Sequence, residues 1–268
     1  VVEAAREDLV KPVLVGDEAK IREILEGLKF DPANAEIINI PDPVEASVKT
    51  AALAKAGEID CIMKGHIETG PLLKVMVNRE TGIRKSDTMS LVGFIDSPYY
   101  HKVFGITDVG LLTYPTLEQK KAAIENATAA FHALGIANPK IAVLAAVEKV
   151  NPKMPETVEA AELKRMNQEG EIEGCTVEGP ISYDLAMDPE SYKIKGYESP
   201  VAGDADIVVV PDIAAGNILI KSLAFTGNAK TCGVIFGAQV PLIITSRSSS
   251  VEDKFMSIAM SALVGGAK

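Results

Sequence analysis

Cysteine is scarce in this chain. Cys61, Cys175 and Cys232 are far apart and form no C-x-x-C pair. That spacing argues against a zinc knuckle or a dithiol redox motif, and predicts buried free thiols in a reducing cytoplasm. Histidine is equally sparse. His66, His101 and His132 have no metal-ligand spacing, and His132 falls inside a long helical pattern where a structural role is expected. Tryptophan is absent and other aromatics are few. Basic residues are outnumbered, 27 Lys and Arg against 37 Asp and Glu, for a net charge of −10. Such a surface argues against nonspecific nucleic-acid binding, so any phosphate-bearing ligand needs a local basic site. No secretory signal pattern or apolar stretch of membrane-spanning length occurs, which predicts a cytoplasmic protein without membrane partners. The chain starts at Val1 rather than Met, which points to a natural start further upstream. Familiar active-site signatures are missing too. No G-x-G-x-x-G follows a strand, and there is no Walker A sequence or G-x-S-x-G elbow.

What is present is alternation. The 268 residues allow one large α/β domain or two smaller ones. Apolar runs at 12–16, 36–40, 59–63, 88–95, 103–107, 140–146, 176–181, 205–210, 231–236 and 242–245 read as strands, with helical patterns between most of them. This is the pattern of parallel sheets covered by helices, and the adjacent runs 88–95 and 103–107 suggest some antiparallel pairing. Asp17 and Asp42 are set to cap helices, with Pro43 at a first helical position, and Gly135 follows a helix end. The expected hinge is Thr107 to Thr116, with a return crossing near Gly237 to Pro241. That gives a discontinuous first domain, 1–107 plus 244–268, and a second domain, 108–243.

In parallel α/β proteins ligands gather at the carboxyl ends of strands. Four such edges carry polar groups here: Lys64 to Gly70, Glu148 to Thr157, Asp212 to Asn217, expected as a loop before a helix that continues to Phe225, and Ser246-Arg247. In the last, a strand ends at a Ser-Arg pair and a serine cluster then opens a helix. A helix N-terminus with free N–H groups beside a guanidinium fork suits an anion. Ser250-x-x-Asp253 equally fits a capping box, in which Asp253 only starts the helix. Both readings of Asp253 stay open.

Taken together the motifs resemble the phosphate acetyltransferase/phosphate butyryltransferase family, and its butyryltransferase branch most. The carrying runs are Pro12–Asp17, Met63-Lys64-Gly65, Thr107-Asp108, Leu134-Gly135-Ile136, Val150–Pro155, and Gly179-Pro180 with Asp184. They continue through Ser199–Ile207, Pro211-Asp212, Ala215-Gly216-Asn217 and Thr245-Ser246-Arg247. The resemblance spans essentially the whole chain. It implies two α/β domains of the isocitrate/isopropylmalate dehydrogenase type with a cleft between them, and a homodimer or higher homo-oligomer. It implies acyl transfer between coenzyme A and inorganic phosphate, both as substrates, with no permanently bound cofactor and no metal. Arg247 would hold the phosphate of the acyl phosphate, Ser246 would hydrogen-bond the reacting oxygens, and Asp253 would take the thiol proton. Lys64, Asn151, Lys153, Thr157, Asp184 and Asn217 would bind substrate.

Two departures matter. The family's first strand is expected before Val1. The arginine that follows the family's third strand is matched by Lys74, or its work passes to Arg84, and lysine is a poorer bidentate phosphate clamp. The leading expectation is a phosphotransacylase preferring butyryl or branched acyl groups. The alternatives are a phosphate acetyltransferase, a non-catalytic coenzyme A-binding relative, and an NAD- and metal-dependent hydroxy-acid decarboxylase of the same fold. The last would need a cluster of aspartates, for which Asp184, Asp206 and Asp212 are the candidates.

Overall fold

A computed structural model describes residues 1–245 and 249–265. By its contacts the chain divides into Val1–Asp87 with Gly237–Lys268, and Thr88–Phe236. In chain order the first unit holds α1 (Val2–Arg6), β1 (Val13–Gly16), α2 (Glu18–Gly27), β2 (Glu36–Asn39), α3 (Pro43–Ala56), β3 (Ile62–Met63) and α4 (Thr69–Met76). The second unit opens with β4 (Ser90–Asp96), β5 (Phe104–Thr107), α5 (Leu117–Ala133), β6 (Lys140–Leu144), α6 (Pro155–Gln168) and β7 (Thr176–Ile181). It continues with α7 (Tyr183–Met187), α8 (Pro189–Lys195), β8 (Ile207–Val209), α9 (Ile213–Phe225) and β9 (Lys230–Phe236). The chain then returns to the first unit as β10 (Leu242–Ile243) and α10 (Val251–Gly265).

Local chemistry explains the helix ends in the first unit. The Asp42 carboxylate accepts from the N–H groups of Val44 at 2.9 Å and Glu45 at 2.8 Å, and Pro43 occupies the first helical position of α3. These donors have no partner within the helix, so the cap contributes about 1 kcal/mol. Gly57 ends α3 at φ 74°, a left-handed position where a side chain would be strained. β1 runs parallel to β2, and β3 runs parallel to β10 with Leu242 opposite Ile62 and Ile243 opposite Met63.

The second unit is a mixed α/β layer structure on a large sheet, with strands in the order β9-β4-β5-β8-β6-β7. β4 is antiparallel to β5 and β9, while β8 lies parallel between β5 and β6. All of β8 is buried, as its unbroken apolar run requires. Two glycines let helices close on the opposite faces of this sheet. A Cβ on Gly93 would lie 2.5 Å from Ile220 of α9, and one on Gly105 would lie 2.9 Å from the Phe131 ring of α5. Phe131 stacks on Phe94 at 5.8 Å between centroids, and both rings are buried. Each such burial stabilises by about 1.5–3 kcal/mol.

The unit boundaries differ from those expected. β4 and β5 belong with the second unit, because their edges hydrogen-bond to β9 and β8. The first crossing therefore falls at Asp87–Thr88, ahead of the expected hinge. Residues 237–243 belong with the first unit, because the Gly237 carbonyl accepts from the N–H groups of Lys85 and Ser86, and β10 pairs with β3. The segment from Asp212 to Asn217, expected as a loop, is largely helical. The Asp212 carboxylate accepts from the Ala215 N–H at 2.9 Å and starts α9 there.

Candidate functional site

The carboxyl ends of β8, β6 and β7 lie side by side in the second unit and carry the predicted groups. After β6, the run from Asn151 to Thr157 folds into one closed turn. The Asn151 N–H donates to Thr157 Oγ1 at 2.8 Å, and that hydroxyl donates to the Met154 carbonyl at 2.7 Å. The Asn151 side-chain oxygen accepts from the Lys153 N–H at 3.0 Å. Thr157 is fully buried. Its hydroxyl holds the turn, while Lys153 stands exposed on it.

After β7, Asp184 sits at the start of α7 and pairs with Lys195 of α8 at 3.0 Å. Lys195 also reaches Glu148 at 3.4 Å, and the Ser182 hydroxyl donates to Glu148 at 2.7 Å. Hydrogen bonding with Ser182, and then with Lys195, holds the Asp184 carboxyl below its usual range. Glu148 is lowered in the same way, by Ser182 first. Glu148, Ser182 and Lys195 thus join Asp184 in one charged cluster, although sequence reasoning named only Asp184. The polar run starting at Glu148 was a signal for one of them. Lys195 lies far along the chain and gives no local sign.

After β8, Asn217 is half-buried in the second turn of α9 and donates to the Val109 carbonyl at 3.4 Å. Beside it, Gly216 admits the Asp108 carbonyl so closely that a Cβ would lie 2.6 Å away. Asp108 is itself buried at the end of β5. Its carboxylate accepts from the N–H groups of Leu91, Gly110 and Leu111 at 2.7, 2.8 and 2.7 Å. Burial pushes its carboxyl up, against those hydrogen bonds. It anchors the loop leading to α5. Asp206 is buried at the start of β8, at the opposite end from this edge. It pairs with Lys102 at 2.7 Å and accepts from the Lys140 N–H, so it serves the sheet.

In the first unit, Lys64 follows β3 and its ammonium donates to the Ile67 carbonyl at 2.9 Å. Thr245 follows β10 at the same sheet edge, since β3 and β10 are parallel neighbours. Lys74 projects from α4 into an open cavity of about 510 Å³ shared with Val44, Val48 and Pro71. Arg84 pairs with Asp87 at 3.0 Å. Asp253 does form the capping box. Its carboxylate accepts from the Ser250 N–H at 3.0 Å while the Ser250 hydroxyl accepts from the Asp253 N–H at 3.0 Å. Ser246 and Arg247, the other two residues expected to be catalytic, lie outside the described residues. Among the described residues no cluster of three His, Cys, Asp or Glu side chains is placed to hold a metal, and no helix is long and apolar enough to cross a membrane. Cys175 and Cys232 are buried and Cys61 is half-buried, and none of the three is in a disulfide.

Residues 42–262 match the family described as phosphate acetyl/butaryl transferase. The chain belongs to the phosphate acetyltransferase/phosphate butyryltransferase family. Phosphotransacylases are acyltransferases, and that is the class of this enzyme. It is 45% identical to the phosphate acetyltransferase of Thermotoga maritima over 98% of this chain and 89% of that one. It is 39% identical to the phosphate butyryltransferase of Clostridium acetobutylicum, over 99% and 88% of the two chains. Among solved structures, a branched-chain phosphotransacylase from Enterococcus faecalis V583 matches with a TM-score of 0.82 at 33% identity, covering 95% of this chain and 99% of that one.

Proposed function

We propose that this phosphotransacylase moves a short-chain acyl group, butyryl or branched in preference to acetyl, between coenzyme A and inorganic phosphate in the cytoplasm. Both are substrates, and the reading needs no resident cofactor or metal. It keeps the isocitrate dehydrogenase-like domain pair implied by the sequence. The observation that carries the acyl preference is the match to a branched-chain phosphotransacylase along nearly the full length of both chains. The higher identity to an acetyltransferase favours the second reading, acetyl transfer.

In the direction that consumes acyl phosphate, the coenzyme A thiolate attacks the acyl carbonyl carbon, the C–S bond of acyl-coenzyme A forms, and the C–O bond breaks to release inorganic phosphate. Arg247 holds the departing phosphate as a planar fork. Ser246 donates to the oxygen on which charge develops. Asp253 takes the thiol proton, which matters because a free thiol with pKa about 8.5 is mostly protonated at neutral pH. Lys64, Lys74, Arg84 and Lys153 supply positive charge for the anionic substrates, which the chain's net charge of −10 would otherwise repel. Asn151, Thr157, Asp184 and Asn217 complete the substrate-binding set, Thr157 by holding its turn.

The capping box makes the base assignment testable. Asparagine at 253 keeps an acceptor for the Ser250 N–H but is no base at neutral pH. Asp253→Asn is expected to lower kcat by about 10²–10⁴-fold with an unchanged melting temperature. Full activity in that variant would leave Asp253 as a cap alone. Arg247→Ala is expected to abolish phosphate-dependent turnover, and a variant as active as the parent would refute its role.

A further inference from the structure

The segment between β6 and α6 holds two apolar side chains out among polar groups. Val147 is 36% exposed and Val150 is 53% exposed. Their neighbours Glu148, Lys149 and Asn151 are polar, as are Ser182, Asp184 and Asp212 at the ends of the adjoining strands. Neither valine is loosely held. Val147 is bracketed by the Ala145 N–H, which donates to the Ile181 carbonyl at 3.0 Å, and by the Glu148 carboxylate, which accepts from the Ser182 hydroxyl at 2.7 Å. Both ties run to the end of β7 and the residue after it. The chain just after Val150 is fixed from both sides. The Asn151 N–H donates to Thr157 Oγ1 at 2.8 Å, and the Asn151 carbonyl accepts from the Met154 N–H at 2.8 Å. A β-branched side chain on such a backbone is stiff about χ1, so little freedom is lost when a ligand covers it. Scattered exposed apolar residues are ordinary, but two held rigidly within a substrate-binding turn supply the apolar surface that ligand sites use.

We infer that Val147 and Val150 contact the acyl chain of the substrate and set how strongly longer chains are preferred over acetyl. The inference rests on the phosphotransacylase reading and deepens it by naming the residues that read the chain. The occupant follows from the chemistry of the turn. Lys153 stands exposed on the same turn as Val150, and its N–H is fixed by the Asn151 side-chain oxygen at 3.0 Å. An acyl phosphate carries an apolar chain and an anionic group a few bonds apart, and this turn offers apolar surface together with a cation for the anion. Acetyl has a single methyl group to place there, whereas butyryl and isobutyryl add two more carbons. One methylene in a hydrophobic pocket discriminates by about 10–200-fold, and open surface of this kind gives the low end. Phosphate and the coenzyme A arm are common to all these substrates, so contact with the chain is what separates them.

The test uses Val147→Thr and Val150→Thr, which keep the branched shape and replace a methyl by a hydroxyl. The readout is the ratio of kcat/KM for butyryl- over acetyl-coenzyme A in phosphate-dependent thiol release by the full chain. Each variant is expected to lower that ratio by about tenfold, the effect of losing a methylene-sized contact, with an unchanged melting temperature. An unchanged ratio overturns the inference. So does a loss shared equally by the two substrates, which is what a disturbed turn would produce. Val147→Ala and Val150→Ala carry the same expectation should a threonine variant fail to fold. Titration calorimetry without phosphate is run on the same proteins. There the preference for butyryl- over acetyl-coenzyme A, read as the ratio of their dissociation constants, is expected to shrink in the variants. A parent without phosphate-dependent release overturns the catalytic reading. Calorimetry then decides the valines by itself, and an unchanged ratio of dissociation constants overturns their role.

Discussion

Replacing Gly105 by alanine adds one methyl group where the structure has no room. The new Cβ would lie 2.9 Å from Phe131 Cε2, 3.2 Å from its Cζ and 3.2 Å from Val92 Cγ1. The Phe131 ring cannot swing clear, because it is 1% exposed and stacked on Phe94. Overpacking of this kind costs about 1–3 kcal/mol. Alanine also restricts the unfolded chain, which offsets about 0.4–1 kcal/mol. The net loss is about 0.5–2 kcal/mol, and a domain of this size shifts by about 2–4 °C per kcal/mol, so the melting temperature should fall by about 1–8 °C. Thermal denaturation followed by circular dichroism measures it. The cause is isolated by a double-mutant cycle with Phe131→Leu, which removes the obstructing ring. In that background Gly105→Ala should cost less by at least 0.5 kcal/mol, on the order of the coupling expected for touching residues. An alanine variant as stable as the parent, or an equal cost in both backgrounds, would refute the packing argument. The site is affected as well, because β5 leads directly into Asp108 and the loop that Asn217 touches.

Two further outcomes follow from the polar networks. Asp204 is partly buried, which alone would raise its carboxyl, yet hydrogen bonds from Lys102, Lys140 and His101 hold it well below the usual range. A depressed folded-state value stabilises above the unfolded value near 3.9 and is lost as pH falls through the folded one. Asp204→Asn should therefore shrink the stability gained between strong acid and pH 5 in urea titrations, and an unchanged acid profile would contradict the network. Thr157→Val keeps the shape but strips the Asn151 N–H of its acceptor in a buried turn. A loss of about 1–3 kcal/mol is expected, with weakened substrate binding as the turn loosens; a variant with parental stability and KM would show that the turn does not need the hydroxyl.

Much of this was legible from short-range chemistry. The caps at Asp17 and Asp42 depend on residues two or three positions away, and the sequence shows both partners. The same is true of the capping box at Ser250 and Asp253. Antiparallel pairing of β4 with β5 was expected from their adjacency and is present. What the sequence hid is long-range. Apolar content marks β4, β5 and β10 as buried strands but does not say which neighbours bury them, so it does not show where the contact-defined units divide. Gly216 and Asn217 are weak helix formers and read as a loop. Yet Gly216 is inside α9, because only a residue without a Cβ lets the Asp108 carbonyl approach. The Glu148–Ser182–Lys195 cluster joins three elements separated by up to 47 positions, and no local pattern announces it. The family motifs, by contrast, were legible because they run in fixed order along the chain.

The most direct test of the account is phosphate-dependent release of free thiol from acetyl-, butyryl- and isobutyryl-coenzyme A, measured side by side on the full chain. The account predicts release that requires phosphate and is fastest, by kcat/KM, with the four-carbon substrates. Fastest release from acetyl-coenzyme A would contradict the acyl preference, and no phosphate-dependent release from any of the three would contradict the central claim.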